Sequence, residues 1–100
     1  MKVVKVEYQV KPEFVEQNKS NIQRVMKAIK KKNINNMLYS SYYLGDGKFM
    51  HHNITTAVDF SELTNVIEFK EFQQALKESE PIMKPVSSDL EVVGLSKEIF

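Results

Sequence analysis

Hydrophobic periodicity along this chain switches from two to helical and back, twice, and that order constrains the fold more than any motif does. Residues 2 to 10 alternate, with Val4, Val6, Tyr8 and Val10 on one side and Lys5, Glu7 and Gln9 on the other. Such alternation marks a strand with one buried face. Pro12 then opens a helix, where its missing N–H would be unpaired in any case. Phe14, Asn18, Ile22, Val25 and Ile29 recur at helical spacing, and Val15 and Met26 widen the stripe. Glu13 and Glu16 near the start and Lys27, Lys30, Lys31 and Lys32 near the end complement the helix dipole. Asn33 to Asn36 end the helix. Met37 to Leu44 reads as a second strand, Gly45-Asp46-Gly47 as a hairpin turn, and Lys48 to Val58 as a third strand. Asp59 to Asn65 connects, with Asp59 or Ser61 as a helix cap. Val66 to Glu78 is a second helix that buries Phe69, Phe72 and Leu76. Pro81 and Pro85 bracket an irregular link, and Asp89 to Leu95 reads as a fourth strand.

The order is therefore βαββαβ in one domain spanning residues 1–100. Each helix joins strands that run the same way, and right-handed crossovers place the third strand beside the first. The expected fold class is α+β. It is a ferredoxin-like, split-βαβ unit whose antiparallel four-stranded sheet carries two helices on one face. A two-residue turn at Asp46-Gly47 sets Leu44 against Phe49, Tyr42 against His51 and Ser40 against Asn53. On the other face Tyr43 meets Met50 and Tyr39 meets Ile54; a turn one residue longer would regroup these pairs. Both faces of the hairpin then carry large side chains, although a sheet covered by helices on one side should be polar on the other. A second apolar face implies burial against another copy, so a homodimer is expected.

Composition narrows the function classes. The net charge of +1 gives no basic excess for nucleic acid, and the lysines closing the first helix lack an aromatic stacking platform. With no cysteine there is no disulfide, thiolate metal site or thiol nucleophile. No apolar run is long enough to cross a bilayer and no secretion signal opens the sequence, so a cytoplasmic protein without membrane contact is expected. Asn18-Lys19-Ser20 and Asn53-Ile54-Thr55 match the glycosylation pattern by chance on that reading.

The candidate chemistry lies on the hairpin. His51 and His52 are strand neighbours that point to opposite faces, so they do not chelate one metal, and no metal site is expected. Tyr42 opposite His51, with Ser40 and Asn53 continuing the face, gives a few polar groups in an apolar setting, the pattern of a small-molecule site. His51 could accept a proton there, with Tyr42 as its partner and Ser40 and Asn53 binding the ligand. The same groups also fit a hydrogen-bonded core or dimer interface. Gly45-Asp46-Gly47-Lys48 is too short for a phosphate loop and opens no helix.

The opening Val6-Glu7-Tyr8-Gln9-Val10-Lys11-Pro12-Glu13, the hairpin from Leu38-Tyr39 to Gly47-Lys48-Phe49-Met50-His51, the helix Phe69-Lys70-Glu71-Phe72 and the closing Leu90-Glu91-Val92-Val93-Gly94 together carry a resemblance. The chain resembles the dimeric α+β barrel superfamily, and within it the antibiotic biosynthesis monooxygenase-like group. The resemblance implies sheet-to-sheet dimers with a cavity between each sheet and its own helices. It also implies binding or oxidation of a small aromatic or phenolic molecule without a cofactor; the alternative is a non-catalytic small-molecule-binding or regulatory module on the same dimeric scaffold. Some members degrade haem. The well-studied oxygenase and haem-degrading members use tryptophan, which this chain lacks, and its histidines lie on a strand rather than on the second helix where a haem ligand is expected.

Overall fold

A computed structural model covers residues 1–100. The elements are β1 (Lys2–Gln9), a 3-10 turn (Pro12–Phe14), α1 (Val15–Lys32), β2 (Met37–Gly45), β3 (Lys48–Thr55), the short α2 (Ser61–Thr64), α3 (Ile67–Glu78) and β4 (Met83–Leu90). The sheet is antiparallel throughout, in the order β2-β3-β1-β4. This is the ferredoxin-like topology read from the periodicity. Pro12 sits in the turn that leads into α1, and Asn33 ends the helix in the left-handed conformation (φ 54, ψ 49), returning its N–H to the Lys30 carbonyl. The core lies between the sheet and the two long helices. It gathers Tyr8, Val10, Ile22, Val25, Met37, Phe49, Leu63, Val66, Phe69, Phe72 and Leu76.

The last strand begins earlier than the sequence suggested. β4 runs over Met83–Leu90, while residues 91–100 form no helix or strand. Pro85 lies inside it because β4 is an edge strand and the pairing with β1 shifts between Glu7 and Gln9, beside the proline. A missing N–H is tolerated at an edge or a bulge. β4 also carries two serines and shows no apolar alternation, so its pattern is faint. The connection after β3 holds an unforeseen single helical turn, whose first N–H, at Ser61, bonds the Asp59 carboxylate at 3.0 Å.

The hairpin differs by one residue. Asp46 and Gly47 do form the turn, with φ of 59 and 78. The pairing jumps, however, from Gly45↔Lys48 to Tyr43↔Phe49, leaving Leu44 as a bulge. Every later pair regroups: Tyr42 faces Met50, Ser41 faces His51, Ser40 faces His52, Tyr39 faces Asn53 and Leu38 faces Ile54. Gly47 is fixed sterically as well as by its φ, because a Cβ there would lie 2.3 Å from the Val10 carbonyl oxygen. That approach exists because the Val10 N–H bonds the Gly47 carbonyl at 2.8 Å, tying the hairpin to the end of β1.

On the outer face Val3 and Ile54 pair and are buried, and around them Leu38, Tyr42, Leu44, Val86 and Leu90 stand exposed. No helix of the structure is long and apolar enough to cross a membrane.

Candidate active site

The inner face of β3 presents Phe49, His51, Asn53 and Thr55 in alternation. Strand pairing supplies their neighbours. On β1, Tyr8 lies opposite Phe49, Val6 opposite His51 and Val4 opposite Asn53; on β2 the partners are Tyr43, Ser41 and Tyr39. His51 is only 4% exposed, and hydroxyls surround its ring. Nε2 lies 2.7 Å from Tyr8 Oη, and Nδ1 lies 2.6 Å from Ser41 Oγ and 2.9 Å from Tyr39 Oη. Behind Tyr8, the fully buried Asn18 of α1 donates Nδ2 to Tyr8 Oη at 2.9 Å. The ring stacks on Tyr8, with centroids 5.3 Å apart, and is tilted against Phe72 at 5.5 Å.

This setting decides the charge states. Removal from water disfavours imidazolium and lowers the His51 pKa to about 4, so the ring is neutral at pH 7. The same desolvation pushes the Tyr8 and Tyr39 phenols well above their ordinary range, and for Tyr39 the neighbouring Tyr8 adds to it. A neutral imidazole has one N–H and one lone pair, and hydroxyls can serve both, so the ring is fully hydrogen-bonded without a charged partner.

His51 and Tyr39 also line a cavity of about 290 Å³ between the sheet and the α2–α3 side. Val4, Val6, Phe60, Leu63 and Phe69 make its walls apolar, while Asn53, Thr64, Gln73 and Ser87 bring polar groups. Asn53 is 8% exposed; its Nδ2 reaches only the Met37 sulfur, at 3.5 Å, and its Oδ1 is buried with no partner. An unpaired buried acceptor costs about 1–3 kcal/mol, which a ligand's donor would recover. No three His, Cys, Asp or Glu side chains gather to hold a metal ion.

The four residues singled out from the sequence thus divide. His51 and Asn53 share the inner face and line the cavity. Tyr42 and Ser40 do not join them, a correction caused by the Leu44 bulge: both alternate to the outer face and border a separate groove along β2. Their places beside His51 and Asn53 belong to Ser41 and Tyr39. Asn18 and Tyr8, which complete the network, went unread as site residues. The signal was an asparagine inside the apolar stripe Phe14–Ile22 of α1, since a polar residue on a buried face needs a partner.

No family model matches the chain, nor does any curated protein sequence. Solved structures do. A crystal structure of an antibiotic biosynthesis monooxygenase superposes with a TM-score of 0.75 at 12% identity, covering 94% of this chain and 100% of that one. SnoaB from Streptomyces nogalater, described as a cofactor-independent oxygenase, gives 0.69 at 13% identity over 97% of this chain and 98% of its own. Rv0793 from Mycobacterium tuberculosis gives 0.75 at 8% identity over 96% and 98%. Identities this low speak to architecture, and at that level they agree with the resemblance read from the sequence: the chain has the ferredoxin-like α+β fold of the antibiotic biosynthesis monooxygenase-like proteins.

Proposed function

We propose that this chain binds a small phenolic molecule in the cavity over His51 and oxidises it with dioxygen to the quinone, one oxygen atom entering the ring and the other leaving as water, using no bound cofactor. The observation that carries the reading is Asn53, which lines an apolar cavity beside a neutral, hydroxyl-ringed histidine; its buried Oδ1 lacks a partner, and a small turn of the amide would aim it at a ligand. The phenol's O–H donates to Asn53, and its ring packs against Leu63 and Phe69. Tyr39 lines the cavity and touches His51 Nδ1; when the phenol's O–H turns from Asn53 to Tyr39 Oη, the Tyr39 hydroxyl passes its own proton to the imidazole and takes up the phenol's. Moving a proton from a phenol near pKa 10 to a base near 4 is uphill by about 8 kcal/mol. A turnover of about 10 per second tolerates a total barrier of about 16 kcal/mol, so the proton transfer leaves roughly half of it for the step with dioxygen. The description of SnoaB as a cofactor-independent oxygenase supports the choice of reaction.

A second reading, binding without turnover, is favoured by one specific fact: both ring nitrogens of His51 already have partners. Oxygen uptake with a panel of phenols and hydroquinones separates the two. The oxidative reading expects uptake that depends on both protein and phenol and is lost in Asn53→Leu. Saturable phenol binding without uptake would leave the binding module. The same proposal includes pairing of two copies across the outer face at Leu38, Tyr42, Leu44, Val86 and Leu90. Light scattering at micromolar concentration should give twice the 11.6 kDa chain mass, and a monomer mass throughout would refute the pairing.

A further inference from the structure

Tyr39, which lines the His51 cavity, also lines a larger opening. A groove of about 430 Å³ runs between α1 and the edge strand β2, floored by Ile22, Met26 and Phe49 and walled by Tyr39 and Tyr43. A second hollow of about 320 Å³ adjoins it, sharing Met26, Lys30 and Tyr39 and continuing to Ile29 and Ile34, with Leu38 of the outer face only at its rim. Together they form one elongated apolar channel along the edge of the sheet. Its charges are one-sided. Lys19 and Lys30 line it, and neither lining contains an aspartate or glutamate. The two lysines are eleven positions apart on α1, three turns, which returns them to the same helix face about 16 Å apart along the axis. α1 as a whole carries six basic residues and one acidic one. Lys19 is already engaged, 3.2 Å from Glu16 and over the Tyr43 ring at 4.5 Å. Lys30, where the two hollows meet, has no ion-pair or ring partner.

We propose that this channel is a second binding site, for an aromatic carboxylate of elongated shape, with the carboxylate paired to Lys30 and the flat body lying between Met26, Tyr39 and Phe49. Aromatic walls favour a flat ring system, a cationic rim with no acidic residue excludes cations, and the length exceeds what a single-ring ligand fills. The proposal does not depend on phenol chemistry in the His51 cavity. It does give Tyr39 a role in both sites, because its ring forms a wall of each.

The test uses 2-naphthoate and its uncharged counterpart 2-naphthamide as probes, followed by amide chemical shifts and titration calorimetry on the full chain. Naphthoate should perturb Ile22, Met26, Lys30 and Ser41. It should bind roughly fivefold tighter than naphthamide, the scale of one good exposed ion pair. Lys30→Gln, a substitution at an exposed helical position that leaves the core untouched, should abolish that advantage and leave naphthamide binding unchanged. Added salt should weaken naphthoate binding alone. Equal affinity for the two probes, an unaltered preference in Lys30→Gln, or shifts confined to Leu63, Thr64 and Gln73 would each overturn the assignment.

Discussion

Tyr8→Phe will lower the unfolding free energy by about 2–5 kcal/mol, far more than the loss of one hydroxyl suggests. The ring itself is conserved by the change, so its stacking on Phe49 and His51, at centroid distances of 5.6 and 5.3 Å, survives. What disappears is the oxygen that accepts from Asn18 Nδ2 and touches His51 Nε2. Both groups sit where water does not reach, with Asn18 at 0% exposure and His51 at 4%. Each unpaired buried polar group costs about 1–3 kcal/mol, and here one substitution strands two. Urea denaturation measures the loss. Adding Asn18→Leu to Tyr8→Phe should recover part of it, because an apolar side chain removes one stranded donor. A loss below about 0.5 kcal/mol, the scale of an ordinary surface change, would mean that the network does not exist as described.

Acid will act on His51 in the same network. The unfolded His51 takes up a proton near 6.5, whereas in the folded chain burial delays protonation to about 4. Between those values the unfolded state binds more protons, so stability rises with pH across that window. The contribution is therefore complete above about pH 6.5 and is lost as pH falls toward 4. The gap, at about 1.4 kcal/mol per pH unit, amounts to about 3 kcal/mol. Unfolding free energy measured at intervals from pH 7 to pH 4.5 should show this slope in the native chain, and His51→Asn should flatten it. Parallel curves for the two proteins would show that His51 is not held neutral by burial.

Much of this was legible in the residues. Alternation in β1, the helical stripes of α1 and α3 and the Asp46-Gly47 turn are local signals with strong physical causes, and they place the sheet order correctly. The candidate site was half legible. His51 and Asn53 stand out as polar residues two apart on a strand, which puts them on one face whatever the partner strand does. Their cross-strand neighbours depended on a single residue of register. Gly45, just before the Asp46-Gly47 turn, was the available sign of a bulge, and it takes φ 89 in the fold; reading the turn as two residues without it exchanged Ser41 and Tyr39 for Tyr42 and Ser40. β4 was illegible for a different reason. An edge strand exposed along its whole length needs no apolar pattern, so Pro85, Ser87 and Ser88 read as a link. Asn18 could be placed on the buried stripe, but its partner Tyr8 lies ten residues away on another element, and only the fold brings the two together.

The His51 cavity is proposed to take a small phenol through Asn53. The direct measurement is calorimetric titration of 2-naphthol into the native chain and into Asn53→Leu. Leucine is close to asparagine in shape and replaces a side chain whose Oδ1 has no partner, so the variant should fold with little or no loss of stability. Saturable binding to the native chain is expected, with about tenfold weaker binding to Asn53→Leu, the value of roughly one buried hydrogen bond. Equal affinity for the folded variant, or no binding to the native chain at any soluble concentration of the phenol, would contradict it.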